Sequence, residues 1–490
     1  MVRIFESENF CTKKCVFRAR AGTGFFGNED RVPKSAKKRF EWSGCVRAAK
    51  ILTKLNTLSA PQVAKRVERV AEADFIQLAR DLGIYARTVL VGDTPVRLTL
   101  RTTAMASDGR AIARDADGKV VFVEGALPDE TVVAHVTEDK SSFRSAVIDI
   151  PLEASPDRVE PLCPYVAEGC GGCRWQHVEV DAQRRLKDTM IRESLRRIGR
   201  TVGLPDGGVE RTVELASWQF RTTVRAGVAA GRPGLRRLRS NDIVPVDECP
   251  VATPEVSGML GSLDFPGADE VLFRAGERTG ELMARPSPLP VELELPKGVS
   301  ASQIHECAAG RTWKVSAASF FQTRPDGVDV LASMVRDSAT GLDRASRPDR
   351  RGRAVDLCSG VGVFAGLLGE AGWTVTAVEV SKSSVADAEQ NLAGLPVEIV
   401  RSRLQEWKPT QADLVVADPS RDGLGRRGVA VAAGTGARRV VLISCDVASF
   451  ARDSALLADA RYRLSSLTPI DMFPHTPHVE IFSVFDRVAT

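Results

Sequence analysis

The sequence predicts an α/β domain at the carboxyl end of the chain, built on a doubly wound, mostly parallel sheet. Ahead of it, the sequence predicts a small β-barrel and then a cysteine-bearing α+β central domain. Three observations lead to this fold class: strand and helix patterns alternate after residue 313, short β-rich runs fill residues 89–151, and cysteines cluster between them. At roughly 100–200 residues per domain, 490 residues fit about three domains.

The barrel is predicted from four short runs of strand composition, separated by turn signals such as Asp108-Gly109 and Asp117-Gly118. The runs are residues 96–101, 120–123, 131–136 and 145–150. Short strands so closely spaced are typical of an OB-like barrel, which we place at residues 89–151. Such barrels often bind single-stranded nucleic acid, and a packing role is the alternative.

The central domain is placed at residues 152–312, and it contains two groups of basic residues. A basic helix is predicted over residues 181–200, and a second group follows at Arg232, Arg236, Arg237 and Arg239. Both groups could contact phosphates, and solvated surface charge is the equally weighted alternative.

Strands and helices alternate through the last domain, placed at residues 313–490. Buried strands are predicted at residues 354–358, 374–380, 397–401, 414–417 and 439–444. Such alternation indicates a parallel sheet with helices on both faces. Two longer runs, residues 462–470 and 479–486, predict a closing antiparallel pair.

Composition excludes several classes of protein. Hydrophobic residues make up 43% and charged residues 27%, as in soluble globular proteins. No apolar run approaches the about 20 residues that span a bilayer, and no secretory signal opens the chain. We therefore expect a cytoplasmic monomer with no membrane partner. In that reducing compartment the ten cysteines are expected as ligands, nucleophiles or core residues.

The charge is unevenly distributed. Residues 1–90 hold 18 Lys or Arg and 9 Asp or Glu, whereas the rest holds 49 and 54, so the net charge of +4 gives no argument for nucleic-acid binding. Residues 1–88 carry no readable domain pattern. We expect a poorly ordered tail, or a start codon near Val89 or Val91 that leaves this segment untranslated.

A glycine-rich turn predicts a nucleotide-like cofactor. In Val355-Asp356-Leu357-Cys358-Ser359-Gly360-Val361-Gly362, a strand enters a turn whose glycines let backbone approach a ligand. Glu379 ends the next strand, at the distance where an acid binds ribose hydroxyls. Because the third glycine of a dinucleotide motif is missing, the pattern favours S-adenosylmethionine over NAD.

Three further motifs follow strand ends of this sheet. Asp418 begins Asp-Pro-Ser-Arg, and Cys445 lies in Ile-Ser-Cys-Asp, so both are expected at the ligand-binding edge. The alternatives are a strand-ending turn for Asp418 and a buried structural thiol for Cys445. Residues 471–480 form the third motif, with His475, His478 and Glu480, for which metal binding is a minor alternative.

Four cysteines have ligand-like spacing: Cys163, Cys170, Cys173 and Cys249. Four thiolates suit either Zn²⁺ or an iron–sulfur cluster, and the spacing does not separate the two.

Together these elements resemble the RNA uracil-5-methyltransferase family, in its iron–sulfur-containing branch that modifies 23S ribosomal RNA. The resemblance covers about residues 90–490 and rests on three stretches: Cys163-Pro164 to Cys173, Ser444-Cys445-Asp446 to Asp453, and Asp471 to Glu480. It implies a TRAM barrel at residues 89–151 and a Rossmann-like class I methyltransferase domain. It also implies methylation of carbon 5 of a uridine in RNA.

The resemblance implies the following roles. Cys445 is the nucleophile that adds to carbon 6 of uracil, and Glu480 is the general base. The cysteines ligate a [4Fe-4S] cluster through Cys163, Cys170, Cys173 and Cys249. S-adenosylmethionine is bound by Gln322, Cys358, Gly360, Gly362, Glu379 and Asp418. Because a thiolate is the attacking species, we expect a lowered pKa for Cys445 and a raised pKa for Glu480.

The chain departs from the family pattern at several positions. Cys358 stands where the family has an aromatic residue, and Val363 where it often has Asn. Asp446 replaces the Asn of Ser-Cys-Asn-Pro, and Ser420 replaces Pro or Ala in the Asp-Pro motif. Two other functions stay open: methylation of another group, such as an exocyclic amine, and a non-catalytic RNA-binding assembly factor.

Overall fold

The computed structural model describes residues 95–200, 202–290, 294–342 and 352–488. The predictions for residues 1–88 and for the first residues of the barrel lie outside this range. No helix within it is long and apolar enough to cross a bilayer.

A closed barrel opens the described chain. Its strands are β1 (Arg97–Met105), β2 (Ala111–Arg114), β3 (Val120–Glu124), β4 (Thr131–Asp139) and β5 (Phe143–Glu153), in the order β1-β2-β3-β5-β4. Alternate residues such as Val121 and Val123 are fully buried, because successive strand side chains point to opposite faces. The barrel expected from the sequence is confirmed, with β2 as a strand that the sequence did not predict.

The middle of the chain contributes one long helix and a six-stranded sheet. After a short 3₁₀ turn (Pro164–Val166) comes helix α1 (Val180–Arg197). The sheet has the order β11-β10-β9-β6-β7-β8. Its elements are β6 (Thr223–Ala229), β7 (Arg232–Arg236), β8 (Ile243–Pro245), α2 (Pro254–Ser262), β9 (Glu270–Ala275), β10 (Leu282–Ser287) and β11 (Val299–Ser300). A hairpin of β12 (Gln303–Ala308) and β13 (Arg311–Ser316) follows.

A seven-stranded sheet forms the carboxyl-terminal part, in the order β16-β15-β14-β17-β18-β20-β19. Its strands are β14 (Arg353–Leu357), β15 (Thr374–Glu379), β16 (Val397–Arg401), β17 (Leu414–Ala417), β18 (Arg439–Ser444), β19 (Tyr462–Ile470) and β20 (Glu480–Arg487). The first five are parallel, and β20 runs antiparallel to β18 and β19. The predicted parallel sheet and its closing pair are confirmed.

Helices cover both faces of this sheet. They are α3 (Pro325–Ala339), α4 (Val363–Glu370), α5 (Lys382–Asn391), α6 (Gly425–Gly434) and α7 (Val447–Asp459), with a 3₁₀ turn at Leu404–Glu406. Neighbouring residues of β17 serve opposite cores: Val415 packs in the cluster with Phe450 of α7, and Val416 in the cluster with Leu331 of α3. The doubly wound arrangement is therefore confirmed.

The basic helix α1 belongs to one of these cores. Ile191 and Leu195 on its buried face pack in the same cluster as Phe450 and Leu457 of α7. The helix therefore supports the last sheet. Arg185, Arg192, Arg196 and Arg197 lie on its exposed face, whereas Lys187 is buried.

Candidate active site

The glycine-rich turn after β14 forms one wall of an open cleft. Gly360 and Gly362 adopt positive φ angles of 56° and 98°. A Cβ at Gly362 would lie 2.7 Å from the Leu392 side chain, whereas at Gly360 the nearest atom would be 4.0 Å away. Gly362 is therefore required for packing, and Gly360 leaves room for a ligand.

The cleft brings together four of the predicted cofactor residues: Gln322, Cys358, Gly360 and Asp418. Glu379 lies beside it at the end of β15. Its Oε2 accepts a hydrogen bond from the Gly360 amide at 2.9 Å, and its Oε1 accepts from Val380 and Ser381 at 2.8 and 2.7 Å. The strand, turn and helix expected from the motif are thus present, and Gly362 lies behind the wall of the cleft rather than on it.

Asp356 is a residue of this site to which the sequence analysis gave no role. Its side chain is fully buried, its Oδ2 accepts from the Ala365 amide at 2.9 Å, and its Oδ1 has no partner among the described residues. Burial, together with the charges of Asp418 and Glu379, raises its pKa to about 8. The hydroxyl of Ser359 also lacks a partner in the described chain. Unpartnered polar atoms beside open glycine backbone fit a polar, nucleoside-containing cofactor such as S-adenosylmethionine.

Asp418 connects the cofactor cleft with the next strand end. Gln322 donates from Nε2 to its Oδ2 at 3.3 Å. Burial raises the pKa of Asp418 to about 7, against the opposing effect of the Gln322 hydrogen bond. This carboxyl can therefore either accept or donate a proton near neutral pH.

Cys445 and Glu480 meet at the ends of paired strands. The antiparallel register pairs Ser444 of β18 with Ile481 of β20, so Cys445 and Glu480 are the next residues at this edge. Glu480 is 2% exposed, and its Oε1 has no partner in the described chain. Burial and the charge of Asp418 raise its pKa well above the usual value, in the direction expected for a base that must take up a proton.

The expectation of a lowered pKa for Cys445 is wrong. Burial, with the charges of Glu480 and Asp418, raises the pKa of this thiol to about 12, and Arg421 offsets only part of the effect. Asp446, which departs from the family pattern, has a local structural role. Its carboxylate caps α7 by accepting hydrogen bonds from the Ala448 and Ser449 amides at 3.0 and 2.8 Å. A negative cap lies at the helix end that would otherwise favour a thiolate.

Two residues lie at the mouth of the site: Arg421, to which the sequence pattern gave no role, and His478, for which it offered only the metal alternative. Arg421 lies three residues after Asp418, and its Nη2 is 3.2 Å from Nε2 of His478. Burial first, and then Arg421, lower the pKa of His478 to about 4, so this imidazole is neutral near pH 7. The Arg at the end of Asp-Pro-Ser-Arg was the available signal, since it follows a strand end of the same sheet edge.

Helix α1 fixes the loop that carries His478 and Glu480. Asp471 receives Arg184 Nε at 2.9 Å and Lys187 Nζ at 3.3 Å, and Lys187 also donates to the carbonyl of Phe473 at 2.9 Å. The amide of His475 donates to Gln183 at 2.7 Å. The loop is therefore held by a buried hydrogen-bond network, and His475 serves this network rather than a metal.

The four predicted ligand cysteines come together in a second place. Each of the six pairs among Cys163, Cys170, Cys173 and Cys249 interacts electrostatically, and all four are free of disulfides. Burial, and then the other three thiols, raise the pKa of Cys173 to about 12. Across the described ranges, no group of three or more His, Cys, Asp or Glu side chains is arranged to hold a single metal ion.

Comparison with known proteins identifies the barrel and the whole chain. The TRAM domain model matches residues 95–147. A protein of Streptomyces avermitilis named as an uncharacterized RNA methyltransferase is 35% identical over 430 residues, which is 79% of this chain and 97% of that protein. A Salmonella typhi protein named 23S rRNA (uracil(1939)-C(5))-methyltransferase RlmD is 29% identical over 441 residues, or 80% of this chain and 96% of that protein.

A solved structure shares the fold. The Pyrococcus abyssi tRNA (uracil-54, C5)-methyltransferase, in complex with S-adenosyl-L-homocysteine, superposes with a TM-score of 0.61 at 23% identity, over 79% of this chain and 99% of that one. The α/β domain is thus a class I methyltransferase fold preceded by a barrel. Because a relative 35% identical spans most of both chains, this chain belongs to the RNA methyltransferase family, the one that the resemblance to the RNA uracil-5-methyltransferases predicted.

Proposed function

We propose that this protein transfers a methyl group from S-adenosylmethionine to carbon 5 of a uridine in 23S ribosomal RNA, through a covalent adduct between Cys445 and carbon 6. The observation that carries the proposal is the pairing of Cys445 with Glu480 at adjacent strand ends, beside Asp418 and the cofactor cleft. Both the Salmonella typhi relative and the Pyrococcus abyssi structure are named for methylation at carbon 5 of uracil. The ribosomal substrate follows the Salmonella typhi relative.

The nucleophile has to form inside the site. Carbon 5 of uracil becomes nucleophilic when sulfur adds to carbon 6, which splits one difficult step into two easier ones. Since the Cys445 thiol is neutral near pH 7, its proton must leave as the S–C6 bond forms. Glu480 and Asp418 are the two carboxyls whose charges raise the pKa of Cys445. We assign Asp418 as the proton acceptor because its pKa of about 7 leaves it partly ionised near neutral pH.

S-adenosylmethionine supplies the methyl group and brings a positive sulfonium charge to the cleft. Gln322 and Gly360, which line the cleft, and Glu379 beside it would hold its polar parts. After transfer, carbon 5 carries one hydrogen too many. The unpartnered Oε1 of Glu480 accepts that proton, the S–C6 bond breaks, and Cys445 recovers its proton from Asp418. The target uridine must leave its stack to reach this site.

We also propose that the four clustered cysteines hold a [4Fe-4S] cluster. The support is their mutual proximity, and a set of hydrogen bonds directed at the sulfurs. The amides of Tyr165 and Val166 lie at Cys163, and the side chain of Gln176 lies at both Cys163 and Cys173. Four thiolates suit either Zn²⁺ or a cluster, and the resemblance to the iron–sulfur-containing branch favours the cluster.

The cluster is tested by anaerobic purification with measurement of iron, sulfide and visible absorbance. Cys173→Ser should lose most of the bound iron. Cys307→Ser is the matched control, because Cys307 lies on the separate hairpin strand β12. Wild-type protein that contains zinc and no iron would contradict the proposal.

The methylation chemistry is tested with 5-fluorouridine-substituted 23S rRNA and S-adenosylmethionine, followed by denaturing mass analysis. Fluorine at carbon 5 cannot leave as a proton does, so the adduct should persist and map to Cys445. If unsubstituted RNA is methylated and no adduct forms, methylation of another group, such as an exocyclic amine, takes its place. If the cofactor binds and no RNA is methylated, the assembly-factor alternative is supported.

A further inference from the structure

The charges of the barrel do not suit it as the main electrostatic site for RNA. Residues 95–153 hold seven Lys or Arg and ten Asp or Glu. Six of the seven cations form ion pairs with carboxylates, among them Arg97 with Asp149 at 3.0 Å and Arg110 with Asp108 at 2.6 Å. The barrel is thus acidic overall, and its cations are already neutralised.

Most residues of the two basic groups expected from the sequence are also paired with acids, whereas Arg200 donates only to the carbonyl of Arg197. On α1, Arg192 pairs with Asp188 at 2.8 Å, and Arg196 and Arg197 share Glu193. In the second group, three arginines pair with acids and Arg237 donates to the carbonyl of Glu168. Phosphates would have to compete with these carboxylates.

Unpaired cations are concentrated at another place, the carboxyl edge of the parallel sheet. We call this the carboxyl-edge basic surface, and its residues are Lys382, Arg401, Arg403, Arg421, Arg426 and Arg427. All six are exposed, and none forms an ion pair within the described part of the chain. On residues 401–406 and 421–427, five exposed cations accompany two exposed acids, Glu406 and Asp422. Helix α5, which begins at Lys382, and strand β16, which ends at Arg401, also carry the exposed acids Glu389 and Glu398. Elsewhere the unpaired cations include Arg114 and Arg336, and the neighbouring Arg461 and Arg487 at the end of the β19–β20 pair.

The segments that carry these residues are in contact. The amide of Ser402 donates to the carbonyl of Glu379 at 3.0 Å, which joins the end of β16 to the end of β15. Leu404 and Leu424 both pack against Gly428, where a Cβ would lie 3.0 Å from each, so residues 401–406 lie along α6. Arg421 reaches His478 at the mouth of the active site. The surface is therefore continuous with the place where the target base must enter.

We propose that the carboxyl-edge basic surface is the principal site for the RNA phosphate backbone, and that it guides the strand flanking the target uridine to the active site. The partner class, RNA, rests on the proposed function. Phosphate contacts supply most sequence-independent affinity and make it depend on salt, because each contact releases bound counterions. The barrel then contributes shape and base contacts rather than charge neutralisation.

The test compares two triple variants of the full-length protein. Arg403→Gln/Arg426→Gln/Arg427→Gln removes three cations of the surface and leaves Arg421, which lies in the active site, intact. Arg192→Gln/Arg196→Gln/Arg197→Gln is the matched control on α1. Binding of unmodified, transcribed 23S rRNA domain fragments is measured by fluorescence anisotropy from 50 to 200 mM salt, in parallel with single-turnover methyl transfer at saturating RNA.

At about 0.7–0.9 per contact, the first variant should reduce the slope of log affinity against log salt by about 2 to 3. Its affinity then falls about 15- to 40-fold less than that of the wild type across this range, while methyl transfer at saturating RNA is unchanged. The control should keep the wild-type slope. An unchanged slope in the first variant, or an equal reduction in both, overturns the proposal. Because binding is read without turnover, a wild type that binds RNA and methylates none contradicts the proposed function alone.

Discussion

The raised pKa of Cys445 predicts how this thiol reacts with an alkylating reagent. A pKa of about 12 lies about three units above that of an ordinary thiol. At 1.36 kcal/mol per unit this is at most about 4 kcal/mol against the thiolate, and solvent screening of the partly exposed sulfur reduces it. Only the thiolate reacts with iodoacetamide, so the alkylation rate of Cys445 should rise about tenfold per pH unit from pH 7 to 9.5 without a plateau.

The assay is peptide-level mass spectrometry after timed exposure to iodoacetamide, with Cys307 in the same sample as the reference for reagent activity. Binding of S-adenosylmethionine should accelerate the reaction, since its positive sulfonium in the adjoining cleft favours the charged thiolate over the neutral thiol. S-adenosylhomocysteine, which lacks that charge and fills the same cleft, is the control ligand and should not accelerate it.

A plateau in the rate of Cys445 below pH 9 would refute this reasoning, because it would mean that the thiolate is already stabilised before the substrates enter. Equal rates with the two ligands would show that the cofactor charge does not reach the thiol. Either result would mean that the local backbone, rather than the complex with bound substrates, activates the Cys445 nucleophile.

Two further predictions concern the base and the loop that carries it. Glu480→Gln should form the adduct with unsubstituted RNA and release it about 10²- to 10⁴-fold more slowly, which denaturing gels detect; release at the wild-type rate would remove Glu480 as the base. Lys187→Met should lower the free energy of unfolding in urea by about 3 kcal/mol, because Asp471 stays buried with Arg184 alone. Arg192→Met, which removes an exposed pair with Asp188, should cost less than about 1 kcal/mol, and equal losses would contradict the role of burial.

The parts of the fold that the sequence predicts are those set by local pattern. All five parallel strands lie within one residue of their expected bounds, because short apolar runs between turns allow few alternatives. Strand β2 was missed because four residues, Ala-Ile-Ala-Arg, give too little alternation to separate it from a turn. Its hydrogen-bonded pairing with β1 and β3 stabilises this strand, although its composition alone does not predict it.

The pKa values and ion pairs of the site were predicted less well than the positions of its residues, because they depend on partners distant in sequence. The strand ends placed Cys445 and Glu480 correctly at one edge, but the pKa of Cys445 depends on Asp418 and Glu480, which lie 27 and 35 residues away. The charges on α1 were partly readable, because Asp188 and Arg192 have the i,i+4 spacing of a helical ion pair. The pairing of Arg184 and Lys187 with Asp471 spans more than 280 residues and leaves no local pattern.

The contact between the barrel and the catalytic loop leads to a last prediction. Gly109, in the turn between β1 and β2, has a φ of +83°, and a Cβ there would lie 2.3 Å from Cβ of Pro477. Pro477 precedes Glu480 by three residues, and Trp175 closes the same contact by donating from Nε1 to the carbonyl of Gly109 at 3.1 Å. The barrel therefore buttresses the loop that presents the base.

Gly109→Ala should displace this loop, whereas Gly118→Ala is a control with nearly the same backbone. Gly118 has a φ of +79° in the next turn of the barrel, and a Cβ there would meet nothing within 4 Å. Both variants should lose about 1 kcal/mol of stability from the left-handed backbone. Gly109→Ala should lose about 1–3 kcal/mol more from overpacking, and its rate of proton removal, measured as adduct decay, should fall as well. If the two variants decay at the same rate, the barrel does not position Glu480, and its role is confined to the RNA.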